Sequence, residues 1–83
     1  MEKSIYTQEY GVVRDLLVEL RTSAGLSQVE LAERLGQSQS FVSKVERGDR
    51  RLDLIQLRSI CLTLGTTLPD FVRRLERRLS QQK

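Results

Sequence analysis

The stretch Leu26–Gly48, LSQVELAERLGQSQSFVSKVERG, decides the fold. It reads as two short helices joined by a tight turn, the layout of a helix-turn-helix. Ser27 is a good N-cap residue and Glu30 lies three positions on, so Ser27-Gln28-Val29-Glu30 forms a capping box. Leu26 before the cap and Leu31 after it can close as a hydrophobic staple. Leu31, Ala32 and Leu35 recur at helical spacing on one face. Gly36 ends the first helix, because a left-handed backbone is cheap for glycine. Ser38 caps a second helix, and Gly48 closes it. The spacing predicts helices over 28–35 and 39–47, with the whole motif spanning 27–47.

The second helix divides by face. At about 100° per residue, Val42, Val45 and Glu46 point one way. Gln39, Ser40, Ser43, Lys44 and Arg47 fall on the opposite arc. An apolar stripe beneath long donors and acceptors suits a helix held on a core while its outer face enters a major groove.

The stretch resembles the phage-repressor helix-turn-helix family, the Xre/Cro and lambda-repressor type. The matching residues are Leu26-Ser27-Gln28, Leu31-Ala32, Leu35-Gly36, Ser38-Gln39-Ser40, Val42, Val45-Glu46 and Gly48. The resemblance covers roughly residues 9 to 79. Gln37 departs from it, since the family usually carries an apolar residue after the turn glycine. The resemblance implies an all-α, compact, five-helix, phage-repressor-like DNA-binding domain with a helix-turn-helix, and a single domain over 1–83. It also implies an ion pair between Arg21 and Glu46, tying the first helix to the reading helix. Family members with glutamine at the position of Gln39 use it on a base. The residue matching Gln28 braces it or touches phosphate.

Geometry and resemblance together rank the open face. Gln39 stands at the end of the helix that enters the groove, and glutamine can bond adenine through two hydrogen bonds. Ser40 beside it can take several bases, and Lys44 one turn on can reach guanine. Ser43 shares this arc. Phe41 lies at the border between core and open arcs. It either touches a thymine methyl or packs under the turn. Aromatic residues at this place in some restriction-modification controller proteins, which the chain resembles in length, favour the groove. Ser38, Gln28, Arg47 and the loop arginines Arg50 and Arg51 are the expected contacts to phosphates, which position a protein without reading sequence.

The chain has 83 residues and 30% charged residues, which suits one globular domain. Its net charge of +3 is uneven. Residues 1–36 carry four basic and six acidic groups, whereas residues 37–83 carry ten basic and five acidic. The basic excess begins where the reading helix begins, and a pI near 9.5 fits a nucleic-acid footprint. The single cysteine, Cys61, leaves no internal disulfide and no paired-cysteine metal site. No apolar run approaches the ~20 residues of a membrane span. No signal peptide is recognisable at the N-terminus. The expectation is a cytoplasmic, nucleoid-associated protein.

Around the motif, residues 1–6 read as an arm without fixed structure, and Thr7 as the cap of a first helix ending near Ser23. Val13, Leu16, Leu17 and Leu20 give it an apolar stripe that Val12 widens. Arg14, Asp15 and Glu19 read as solvated. Asp53-Leu54-Ile55-Gln56 is a second capping box, opening a helix with core residues Leu57, Ile60, Cys61 and Leu64. Ile55 and Leu62 make a second apolar face on it, which needs another partner. A fifth helix begins at Thr67, with Pro69 in its first turn. Leu68, Phe71, Val72, Leu75 and Leu79 are its apolar residues, and Ser80–Lys83 should fray. Arg73, Arg74, Arg77 and Arg78 are better explained by the helix C-terminal dipole than as a second DNA patch.

One short reading helix gives little specificity. The family solution is a two-fold homodimer on a palindromic operator with half-sites about 34 Å apart. Ile55, Leu62 and Leu79 are the expected dimer interface. The function this supports is sequence-specific binding of double-stranded DNA by a transcriptional regulator. A protein-interaction module, antitoxin-like or adaptor, is the alternative. An enzyme is not expected: histidine, a glycine-rich phosphate loop and a metal-ligand cluster are missing from the sequence. No cofactor, metal, small-molecule ligand or membrane partner is expected.

Overall fold

The computed structural model describes the backbone of residues 2–81 and the side chains of residues 8–81. Five helices follow one another there: α1 Glu2–Ser23, α2 Gln28–Leu35, α3 Gln39–Arg47, α4 Leu54–Thr63 and α5 Leu68–Gln81. The punctuation of the motif is as the sequence predicts. The Ser27 hydroxyl accepts from the Glu30 amide while the Glu30 carboxylate accepts from the Ser27 amide. The Ser38 hydroxyl accepts from the Phe41 amide. Asp53 and Gln56 close the second capping box. Gly36 turns left-handed, at φ 70°, and the Gln37 amide then reaches back to the Ala32 carbonyl at 2.9 Å.

These elements share one core. Leu16 and Leu17 of α1, Leu31 and Ala32 of α2, Val42 and Val45 of α3, Ile60 and Cys61 of α4 and Phe71 of α5 are all buried in it. Ala32 is the small residue that lets α2 lie close to α3. Phe71 and Cys61 have no exposed surface at all, so α5 plugs the base of the bundle. Burial pushes the Cys61 thiol up to about 11. Cys61 is therefore the small buried hydrophobe that its place in the stripe suggests.

Several expectations need correction. Residues 2–6 are not an arm but the first turns of α1, which begins five residues before Thr7. No glycine or proline interrupts the chain before Gly11, so nothing ends a helix there. A threonine cap is worth only about 1 kcal/mol against continuing one. At the other end α5 stays helical through Gln81, although fraying was expected from Ser80. Met1, Gln82 and Lys83 lie outside the described residues. Val12, expected only to widen the α1 stripe, is buried, whereas Val13 and Leu20 are partly so. Val72 was expected in the α5 stripe but is 41% exposed.

Glu19 is not merely solvated. Arg78 Nη1 donates to one of its carboxylate oxygens at 3.0 Å, and Arg78 Nη2 to the other. This pair fastens the end of α5 to α1. The hydrogen bonds from Arg78 hold the Glu19 carboxyl below its ordinary range. Arg73 pairs with Asp70 on its own helix.

Candidate nucleic-acid interface

The open surface of α3 is built from behind. Val42 and Val45 are each 3% exposed and fix the helix to the core. Gln39, Ser40, Lys44 and Arg47 are exposed on its other side, and Ser43 is half-buried. Lys44 and Arg47 lie in the last turn, where the helix dipole favours cations.

Behind this face runs a chain of hydrogen bonds from α1 to the start of α3. Arg21 Nε donates to Glu46 Oε2 at 2.7 Å and Arg21 Nη2 to Glu46 Oε1 at 3.1 Å. Arg21 Nη1 also donates to the Leu26 carbonyl at 2.8 Å. Gln28 Nε2 donates to Glu46 Oε1 at 2.9 Å. Gln39 Nε2 in turn donates to Gln28 Oε1 at 2.8 Å. Arg21 and Glu46 are 13% and 9% exposed in their side chains, so the anchoring end is dry and the Gln39 end is wet. The two-pronged Arg–carboxylate geometry is the strong form of such a pair. Of the two roles open to Gln28, the brace is the one its hydrogen bonds describe.

The loop arginines rest on aromatic rings. The Arg50 guanidinium lies 5.0 Å from the centre of the Phe41 ring. Arg51 lies 4.7 Å from the centre of the Tyr10 ring. Phe41 is half-buried and packs against the core, yet also lines a cleft of about 320 Å³ with Ser38, Ser40, Lys44 and Arg50. It thus packs under the turn while part of its ring borders the open face. Arg47 folds back along α3, with Nη1 donating to the Ser43 hydroxyl at 2.8 Å and Nε to Asp49 at 3.1 Å. Gln37, the departure from the family pattern, is exposed. It borders a second cleft of about 120 Å³ with Leu35, Phe41 and Ile55.

Ile55 and Leu62 of α4 are 68% and 49% exposed. Leu79 is half-buried. Leu54, which sequence reasoning did not single out, and Val72, expected in the α5 stripe, join the exposed apolar residues. Arg14 and Tyr10 were also missed. Arg14 Nη1 donates to the Glu46 carbonyl at 3.3 Å instead of standing in solvent. The signal was available: Tyr10, Arg14 and Arg21 are spaced i, i+4 and i+11, which keeps them near one face of a helix. No helix is long and apolar enough to cross a membrane, and no group of potential metal ligands occurs among the described residues.

A family model described as helix-turn-helix matches residues 17–71. No curated protein matches the chain significantly. Among solved structures, an XRE-family like protein from Pseudomonas syringae pv. tomato str. DC3000 is 45% identical. That match covers 92% of this chain and 93% of that one, with a TM-score of 0.84. The clp gene regulator ClgR from Corynebacterium glutamicum is 26% identical, covering 89% and 79%, with a TM-score of 0.78. The restriction-modification controller protein C.Esp1396I, solved as a tetramer with its natural 35 base-pair operator, is 23% identical. It covers 83% of this chain and 91% of that one at a TM-score of 0.75, and shares the fold.

Proposed function

Because the chain belongs to the XRE-type helix-turn-helix family of DNA-binding transcription regulators, we propose that it reads a palindromic operator as a homodimer, with α3 in the major groove. The carrying observation is the braced Gln39. Its side chain stands exposed at the N-terminal end of α3 while its Nε2 rests on Gln28, itself held by Glu46. A side chain fixed in this way loses less freedom on binding a base. Ser40, Ser43 and Lys44 are the further base contacts on the same face. The Phe41 edge adds an apolar contact beside Ser40. Ser38, Arg47, Arg50 and Arg51 supply phosphate contacts, with Gln28 serving mainly as the brace.

The dimer is carried by α4 and α5. Ile55 and Leu62 are large apolar side chains left in water, and Leu54 and Val72 extend the apolar surface of the same two helices. Leu79 supplies its half-buried edge. A second copy burying these residues would double the number of reading helices, which specificity requires.

Selection of bound sequences from a random duplex pool tests the reading. The expected result is enrichment of an inverted repeat with half-sites about one helical turn apart. A pool that stays random, with binding insensitive to salt, would instead favour a protein-interaction module. Sedimentation at micromolar concentration tests the dimer. A species of 9.6 kDa that persists with the selected duplex overturns it.

A further inference from the structure

Resting on that reading, we propose that a third cleft, where α1 meets the rear end of the helix-turn-helix, takes a DNA phosphate. It lies at the C-terminal end of α3 and is lined by Tyr10, Arg14, Arg47, Gly48 and Arg51, with a volume of about 110 Å³. Three guanidinium groups from two distant parts of the chain converge on it.

Each arginine is placed by a different device. Arg14 crosses the last turn of α3, with Nη1 on the Glu46 carbonyl. Gly48 makes room for it, since a Cβ there would fall 3.0 Å from Arg14 Nε. Arg51 arrives from the loop after α3 and lies on the Tyr10 ring. Arg47 is held by Ser43 and Asp49. The dipole of α3 accounts for a cation at Arg14. It does not account for Arg51, or for a cleft left between them.

Among the described residues this charge is only partly compensated. Asp49 serves Arg47, and the Glu46 carboxylate is taken by Arg21 and Gln28. Neither Arg14 nor Arg51 has a carboxylate partner among the described residues. A concave site with two unpaired guanidiniums is chemistry for a phosphate-class anion.

The location selects the duplex as its source. Arg47 stands eight residues beyond Gln39, about 12 Å along the helix. The major groove is about 12 Å wide. When Gln39 meets base edges, the far end of α3 therefore comes to the phosphate wall of the groove. In this arrangement α1 grips the backbone through Arg14, and Tyr10 keeps Arg51 in place.

Binding of a fluorescent 25-base-pair mixed-sequence duplex to the full chain, between about 50 and 200 mM KCl, tests this. Arg14→Gln and Arg51→Gln should each lower the slope of log affinity against log salt, by about 0.9 for the pair that shares the one phosphate. Their deficit should be roughly three-fold larger at the low-salt end. Tyr10→Ala should weaken binding without removing a charge, and should cost little more when added to Arg51→Gln, since the two act as one unit. Melting curves guard against simple loss of fold, and Arg51→Gln, in an exposed loop, should leave them unchanged. A parallel titration with inorganic phosphate, read at the arginine Nε resonances, separates the sources. Saturation there with duplex curves of the variants unchanged makes it a small-anion site and overturns the proposal. A wild-type chain that binds no duplex overturns both readings. A wild type that binds while the three variants overlay it overturns the cleft alone.

Discussion

Arg21 of α1 and Glu46 of α3 are joined by two hydrogen bonds, 2.7 and 3.1 Å long, with both side chains largely dry. The pair sits where the first helix meets the reading helix. Glu46 Oε1 also accepts from Gln28, so the same carboxylate serves the anchor and the brace. Orientation of α3 and rigidity of Gln39 are thus coupled through one residue.

Arg21→Ala leaves the Glu46 carboxylate buried with only Gln28 to satisfy it. Breaking a buried pair from one side costs about 3–5 kcal/mol. Residual exposure of both side chains should bring the loss toward about 2–3 kcal/mol. Thermal unfolding should shift down by roughly 10 °C or more for a domain of this size. Arg21→Lys should recover little, because a lysine cannot offer the two-pronged fork. An unchanged melting temperature in Arg21→Ala would show the pair to be energetically idle.

Gln28→Ala removes the brace and leaves the anchor. Gln39 keeps its reach but gains rotamer freedom. The expected outcome is a preserved fold with a base preference relaxed at the one position that Gln39→Ala also relaxes. Comparing the sequences selected by the two variants checks this. Relaxation at different positions would separate Gln28 from Gln39.

Gly48 and Gly36 allow a controlled comparison. Both are left-handed, at φ 86° and 70°. A Cβ at Gly36 meets nothing within 4 Å, whereas one at Gly48 meets Arg14. Gly36→Ala should cost about 1 kcal/mol from the backbone alone. Gly48→Ala should cost about as much again where Arg14 has to shift. Chemical denaturation of the two variants side by side gives the difference. Equal losses would mean that Arg14 moves aside freely.

Cys61 should resist alkylation by iodoacetamide in the native chain and react on unfolding, since the thiolate is the reactive form and burial disfavours it. The linkage has a definite sign. Burial pushes the folded thiol up to about 11, above its ordinary value, so the unfolded chain loses its proton first. Stability from this group is complete below the unfolded value and is lost as pH rises toward the folded one. At the acid end, Glu19 and Glu30 have lowered pKa values, from Arg78 and from the Ser27 backbone respectively. Their contribution is present above the ordinary carboxylate range and disappears as pH falls below it. Denaturant midpoints across pH should decline at both ends. A flat profile above pH 9, with Cys61→Ala behaving as wild type, would remove the thiol from the alkaline limb.

Ile55→Glu combined with Leu62→Glu should leave a folded chain, since neither side chain belongs to the core cluster. It should abolish self-association and weaken binding to an inverted repeat far more than to a half-site. Sedimentation and half-site titrations read the two effects. A double variant that still forms dimers would place the interface elsewhere.

The sequence by itself determined the local grammar. Two capping boxes, the serine before α3 and the turn glycines set the bounds of α2, α3 and the start of α4, because those signals act within four residues. Helical periodicity was enough to put Val42 and Val45 inside and Gln39 and Lys44 outside. It could not say how far α1 extends toward the N-terminus, because no breaker residue stands there to mark a limit. Nor could it place Arg14 on the end of α3, Arg50 on Phe41, Arg51 on Tyr10, or Val72 in water. Those outcomes depend on the angles at which helices far apart in sequence cross, and a side chain at the edge of a stripe is buried or exposed by its neighbour's position. Tertiary packing therefore decided which arginines are anchored and which are free, while the residue pattern had already decided which helix they surround.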